Sequence, residues 1–396
     1  MTGKPGGGWG KVVAFQARME PARRSRLRRG LLSMAILLLL AVPALGGQTA
    51  SLTPSALPPL GEDEFSFGRD INNGGFVVGD SRSDVASGEK DTAVVWDPDG
   101  IPMELARLDP DTETFGRGIN DVGEVVGISR TGLGPCSLSN PNATETAVKW
   151  NVRGVPMELS PLPGDFESRA FAINNNGVAV GRSLGLRAPA PNCNVLSRAV
   201  VWDRDGNPTA LPTSLVESWA LAINENGEIA GGEFQAAIGP AIENTLVWAK
   251  RTYASTILPL PVGGLNSFGR GINNSGLVIG ESSISGTGRR AVLWDRNGNT
   301  MILQPLPTGS RGSRVHEGFV GGGGINNRGT AVGWSKAQNS IDTAVVWDDD
   351  GIPTALPPLP GELESFAYGI NDAGQIVGTS QSSQGGVFRA RATIWR

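Results

Sequence analysis

Arg69, Arg117 and Arg270 each stand two residues before an isoleucine in the same local phrase, which places three guanidiniums at one position of a repeated unit. The equivalent places in other copies hold Phe171, Leu221 and Tyr368, so the arginines alternate with aromatic and apolar neighbours. Such a set suits an anionic ligand at a channel mouth, because a guanidinium grips a carboxylate or phosphate with two parallel hydrogen bonds. Ordinary salt bridges to nearby acids such as Asp70, Glu113 and Glu167 would neutralise the same arginines, and the sequence leaves both readings open. The one histidine, His316, sits beside Glu317 in the segment TGSRGSRVHEGFVGGGG (308–324), where a surface loop explains it more simply than a catalytic dyad. Arg69, Arg117, Arg270, Tyr368 and His316 are therefore the candidate ligand-binding residues, and none is nominated as catalytic.

Hydrolase or lyase chemistry on a polysaccharide would need two positioned carboxylates or a His or Tyr base. Tyr253 and Tyr368 are the only tyrosines, and no acid is placed uniquely enough to serve. The turns DPDG (97–100), DRDG (203–206), DRNG (295–298) and DDDG (348–351) resemble the start of a calcium loop but lack its downstream bidentate glutamate. They read as type I turns with a bulge glycine, and neither a metal nor a cofactor is expected.

The unit that positions these residues is a repeat. The pattern isoleucine, asparagine, two variable residues, glycine, one variable residue, two apolar residues, glycine occurs seven times, beginning at Ile71, Ile119, Ile173, Ile223, Ile272, Ile325 and Ile370. Each copy is answered downstream by a tryptophan: Trp96, Trp150, Trp202, Trp248, Trp294, Trp347 and Trp395. A period of about 50 residues indicates a propeller or a solenoid. Short β-branched runs bounded by Asn, Asp and Gly predict strands at 366–370, 375–380 and 392–395, with a fourth at 352–359 after the strand ending in Trp347, and no segment after residue 46 keeps a helical period. The asparagines read as turn formers that fold a side-chain oxygen onto the backbone two residues on, ahead of a glycine tolerant of positive φ. The small residues before each Ile suit first strands crowded at an axis, and the tryptophans suit the gaps between diverging blades.

The chain stops one strand short of a full last blade, and LTPSALPPL (52–60) copies the missing strand as IPTALPPL (352–359) shows it. The expectation is an all-β, seven-bladed β-propeller of four-stranded antiparallel blades over 47–396, closed by 52–60 beside 391–395. Turns within the first hairpin and after each Trp then share one constant face. Loops between second and third strands, and between blades, share the other; the separation from the hairpin's last Gly to Trp varies from 14 to 23, so recognition is expected there.

The phrases INDAGQIVG and TAVVWDDDG resemble the HAF-type repeats of extracellular bacterial proteins, and the likeness covers nearly all of 57–396. It implies an exported repeat protein and carries over no enzymatic residue. The position that in such repeats holds His is Thr92, Thr146, Arg198, Asn244, Arg290, Thr343 and Arg391, which removes any ring of histidine ligands.

Residues 1–46, a long basic leader followed by LLSMAILLLLAV (31–42) and small residues at Ala44 and Gly46, read as a signal peptide, with Met19 an alternative start. Its removal takes away eight Lys or Arg and one acid, moving the formal charge from −4 to −11, which disfavours nucleic acid. No second apolar run anchors the mature chain in a membrane, so a secreted, extracellular or periplasmic location is expected. Cys136 and Cys193, in the same loop of consecutive blades, are expected to form a disulfide in an oxidising compartment. The favoured function is an exported non-catalytic binding or scaffold protein for an extracellular protein or glycan, with a secreted polysaccharide hydrolase or lyase as the alternative.

Overall fold

Seven copies of one sequence pattern give seven four-stranded antiparallel sheets. The computed structural model describes residues 52–396 apart from 84–89, 110–111, 132–143, 189–193, 236–240, 308–311, 315–323, 337–340 and 385–386. The predicted leader, His316, Cys136 and Cys193 lie outside the described residues. The first strands of blades 1 to 7 are Phe65–Ile71, Glu113–Ile119, Glu167–Ile173, Glu217–Ile223, Gly264–Ile272, Gly312–Arg314 and Glu364–Ile370. Blade 7 continues with Ile376–Gln384 and Val387–Trp395, longer than the pattern predicts, and its outer strand is Pro54–Leu57 from the start of the propeller. Pro54 pairs with Trp395 and Leu57 with Ala392, so the ring closes as expected, through a core of four residues.

Five hydrogen bonds are each made seven times, one within each hairpin and four that join neighbouring blades into the ring. Every hairpin asparagine accepts the N–H four residues on at 2.8–3.2 Å, rather than chiefly the one two residues on. Its amide Nδ2 then donates to the backbone carbonyl of the matching asparagine in the next blade, at 2.9–3.2 Å, and Asn371 returns to Asn72. The following residue makes a second closed circle, in which each backbone N–H donates to the side chain of its counterpart one blade on, at 2.7–3.2 Å. Five residues before each Ile, or its equivalent in blade 6, a Ser or Thr hydroxyl accepts a third-strand N–H of the preceding blade at 2.9–3.2 Å. Each repeat tryptophan is fully buried, and its indole N–H donates at 2.6–2.8 Å to a carbonyl just past the outer strand of the preceding blade. A buried indole needs such a partner, so the residue that fills the gap also latches it.

The small residues before the isoleucines have two causes, and axial crowding is only one. At the place just before Ile, an added Cβ on Gly369 would lie 3.2 Å from the Asp70 backbone of the next first strand. Two residues earlier the pressure comes from the preceding blade: a Cβ on Gly116 would lie 2.5 Å from Val78 and 2.8 Å from the Gly79 carbonyl. Between these two places the register slips by one residue in the six blades whose full first strand is described. The residue in the bulge is Arg69, Arg117, Phe171, Leu221, Arg270 or Tyr368. A bulge turns its extra side chain out of the regular alternation, so the chemistry-bearing position is set by backbone irregularity. Where it is an arginine or Tyr368 it stacks on the phenylalanine two before it, with Arg69 over Phe67 at 5.4 Å. Arg117 lies over Phe115 at 5.2 Å, Arg270 over Phe268 at 4.9 Å, and Tyr368 stacks on Phe366.

Candidate functional site

The hairpin face closes around the axis in a polar mouth of about 340 Å³, walled by the seven isoleucines and the two asparagine-based circles. Asp70 breaks the pattern there. Its carboxylate accepts N–H bonds from Ile71 at 2.8 Å and from Ile119 of blade 2 at 3.1 Å, yet burial pushes its pKa up to about 6. A raised carboxyl pKa means the folded chain holds a proton the unfolded chain has released, so stability from this group is lost as pH rises from about 4 through 6. Replacing Asp70 with Asn should shrink the difference in unfolding free energy between pH 4 and pH 7.5 by about 1–2 kcal/mol, discounted for access of water to the mouth. Urea unfolding of both proteins at the two pH values checks this; equal slopes against pH would refute it.

The three arginines do not converge as a set of open cations. Arg69 Nε and Arg117 Nη1 both bind Asp80 Oδ2 at 3.0 Å, and Asp80 Oδ1 also accepts the Gly116 N–H at 2.9 Å. The neutralising acid comes from the second strand, one residue past the hairpin's last glycine, and not from Asp70, Glu113 or Glu167. Tyr368 is packed between Phe366 and Trp334, with Arg69 5.7 Å from its ring, and burial pushes its phenol up so that it stays protonated. Arg270 stands apart, in blade 5.

That second-strand position decides what fills the space between adjacent blades on the variable face. It holds Asp80, Ile128, Arg182, Glu281, Trp334 and Thr379 in six blades, and Gly232 in blade 4. Trp334 packs edge-on against Phe366 and Tyr368. Arg182 sits among Glu145, Glu167 and Glu217, and burial, with Arg169 beside it, pushes its pKa down to about 9. Gly232 supplies nothing, and the Phe268 ring of blade 5 lies against its backbone; an added Cβ would be 2.5 Å from Phe268 Cε2.

The result is a cleft of about 390 Å³ between blades 4 and 5. Trp219, four residues before Ile223, forms its floor with Leu221, and the rings of Phe268 and Phe234 tilt against the indole at 5.4 and 6.2 Å. Arg270, Arg289, Glu217 and Glu243 form the rim. Arg289 binds Glu281 at 3.2 Å and lies 4.0 Å from Glu243. On the strand that carries Phe234, buried Glu233 accepts bonds from the Ser214 and Leu215 N–H groups, the Ser214 hydroxyl and the Asn244 amide, which fixes the loop leading to Glu217. Of the described residues expected to bind ligand, the structure brings only Arg270 here. Trp219 escapes the repeat argument because it is not one of the seven repeat tryptophans; its signal is a Trp where other copies carry Phe or Arg, followed by the doubled glycine Gly231–Gly232.

Two further grooves lie at the hairpin face, one of about 450 Å³ beside Phe76, Met103 and Val152, the other of about 400 Å³ beside Leu277 and Met301. They recur at equivalent places between blades, which marks them as architecture.

Fold and site together define a seven-bladed β-propeller with an aromatic cleft on its variable-loop face. The chain belongs to the family described as "Protein of unknown function (DUF3466)", whose model matches residues 151–383. No curated protein matches its sequence. Similar solved structures include the acylaminoacyl peptidase of Pyrococcus horikoshii, at 10% identity and a TM-score of 0.56, covering 84% of this chain and 51% of that one. A puromycin hydrolase matches at 12% identity and a TM-score of 0.53, covering 84% and 52%. A streptogramin B lyase matches at 11% identity and a TM-score of 0.50, covering 87% and 98%. The chain spans about half the length of the peptidase and of the hydrolase, and at these identities the likeness is one of fold.

Proposed function

We propose that this is an exported, non-catalytic binding protein that offers the cleft between blades 4 and 5 to an extracellular ligand. The observation that carries the reading is the aromatic cleft itself: because Gly232 carries no side chain, the Phe268 ring seats against its backbone and forms one wall of a cup with Trp219 and Phe234. A concave apolar floor with a few convergent polar groups is the usual form of a small-molecule or anchor-residue site. The apolar leader, the acidic balance of the mature chain and the likeness to HAF-type repeats support a place outside the cytoplasm, where a Cys136–Cys193 bridge would tie two loops of the same face.

The test is an immobilised array of glycans and of peptides from secreted proteins, probed with the full chain and two variants. Phe234→Ala in the cleft should weaken capture of whatever binds by about tenfold or more, the scale of an interface anchor. Phe76→Ala in the hairpin-face groove should leave capture within about twofold. The opposite ranking would show that the variable face is not the binding face, and cleavage of a captured glycan would favour the polysaccharide hydrolase or lyase reading.

A further inference from the structure

We infer that the blade 4–5 cleft holds one or two pyranose rings of a neutral oligosaccharide, an inference that rests on the cleft being the binding site. The Phe234 and Phe268 rings, set at 51° and 59° to the Trp219 indole, make a cup with it instead of a flat plate. The apolar C–H face of a sugar ring fits against the half-buried Phe234 ring in such a cup, with the largely buried Trp219 indole as its backing, while its hydroxyls point outward to the rim. At about 390 Å³ the space lies near the lower end of small-molecule sites, enough for a short saccharide.

The charges argue for neutrality in the ligand. Two guanidiniums, Arg270 and Arg289, face three carboxylates, Glu217, Glu243 and Glu281, and Arg289 already binds Glu281. An anionic ligand would compete with those carboxylates for the same guanidiniums. A cationic ligand would find the Phe268 ring already covered by Arg270 at 4.9 Å. Sugar hydroxyls both donate and accept, so they bond to guanidinium N–H and carboxylate oxygen without parting any existing pair.

Saturation-transfer NMR of the full chain with maltose, cellobiose, lactose and N,N′-diacetylchitobiose tests this, with digalacturonate, choline and an apolar peptide as the contrasting probes. At least one neutral disaccharide should bind saturably, and Trp219→Phe and Phe268→Ala should each weaken it by about tenfold with the fold retained by circular dichroism. Phe76→Ala should leave it unchanged. Failure of all four neutral sugars overturns the inference. If digalacturonate, choline or the peptide binds in their stead and is weakened by Trp219→Phe, the cleft stands as the site and only the ligand class is wrong. If a neutral sugar binds but ignores both cleft variants, the cleft reading falls and the inference with it.

Discussion

A chain lacking residues 52–60 is expected to lose its cooperative unfolding transition. The segment contributes the whole outer strand of blade 7, pairing Pro54–Leu57 with Ala392–Trp395. Leu57 is almost fully buried between blades, and its exposure forfeits about 2–3 kcal/mol. Two buried donors lose their acceptors as well: the Trp96 indole loses the Pro58 carbonyl, and the Ser66 hydroxyl loses the Leu57 carbonyl. Each stranded group costs about 1–3 kcal/mol. Together these approach the roughly 5–15 kcal/mol that holds a typical domain folded, before counting the ladder itself. Thermal unfolding followed by circular dichroism checks the expectation; a sharp transition within a few degrees of the intact chain would show that the ring does not depend on this strand.

Two glycines four residues apart in the last hairpin should respond very differently to alanine. At Gly378 a Cβ would lie 1.8 Å from the Phe366 carbonyl, inside the first-strand pairing, so backbone must move in the core of the blade. The equivalent distances at Gly79, Gly127, Gly181, Gly231 and Gly280 are 1.9–2.2 Å, which shows the constraint belongs to the blade design. Gly378→Ala should cost more than about 4 kcal/mol or prevent folding. Gly374 sits at φ +86 with nothing within 4 Å of a Cβ, so its alanine variant meets only the backbone penalty, about 1 kcal/mol. Urea midpoints of the two variants give the comparison, and similar losses at both sites would contradict the geometry.

These contrasts explain which parts of the molecule the sequence discloses. A ring of equal blades requires the same bond seven times, so Asn72, Ser66, Trp96 and their counterparts recur and can be counted without coordinates. The crossing of each asparagine amide to the next blade is not visible in that way, because it joins residues about 50 apart whose spacing alone does not say which blade faces which. The arginine positions are legible but their partners are not: Asp80 and Glu281 become neighbours of the bulged residues only once strand register is known. The cleft is hidden for the opposite reason. It arises where the pattern lapses, at Gly232, and an argument built on repetition passes over one absent side chain.

The circle of asparagine amides also constrains when the molecule can be finished. Six of its seven bonds join neighbouring blades and can form as each blade emerges. The seventh, from Asn371 to the carbonyl of Asn72, spans 299 residues, and the hydroxyl of Ser66 waits for the N–H of Ala392 across 326. Contacts this distant are slow to form, because their closure entropy falls due before they stabilise anything. Until the last strand has been made, blade 1 presents an unmatched flank and blade 7 an open edge, so maturation is a race between ring closure and capture of that edge by another chain.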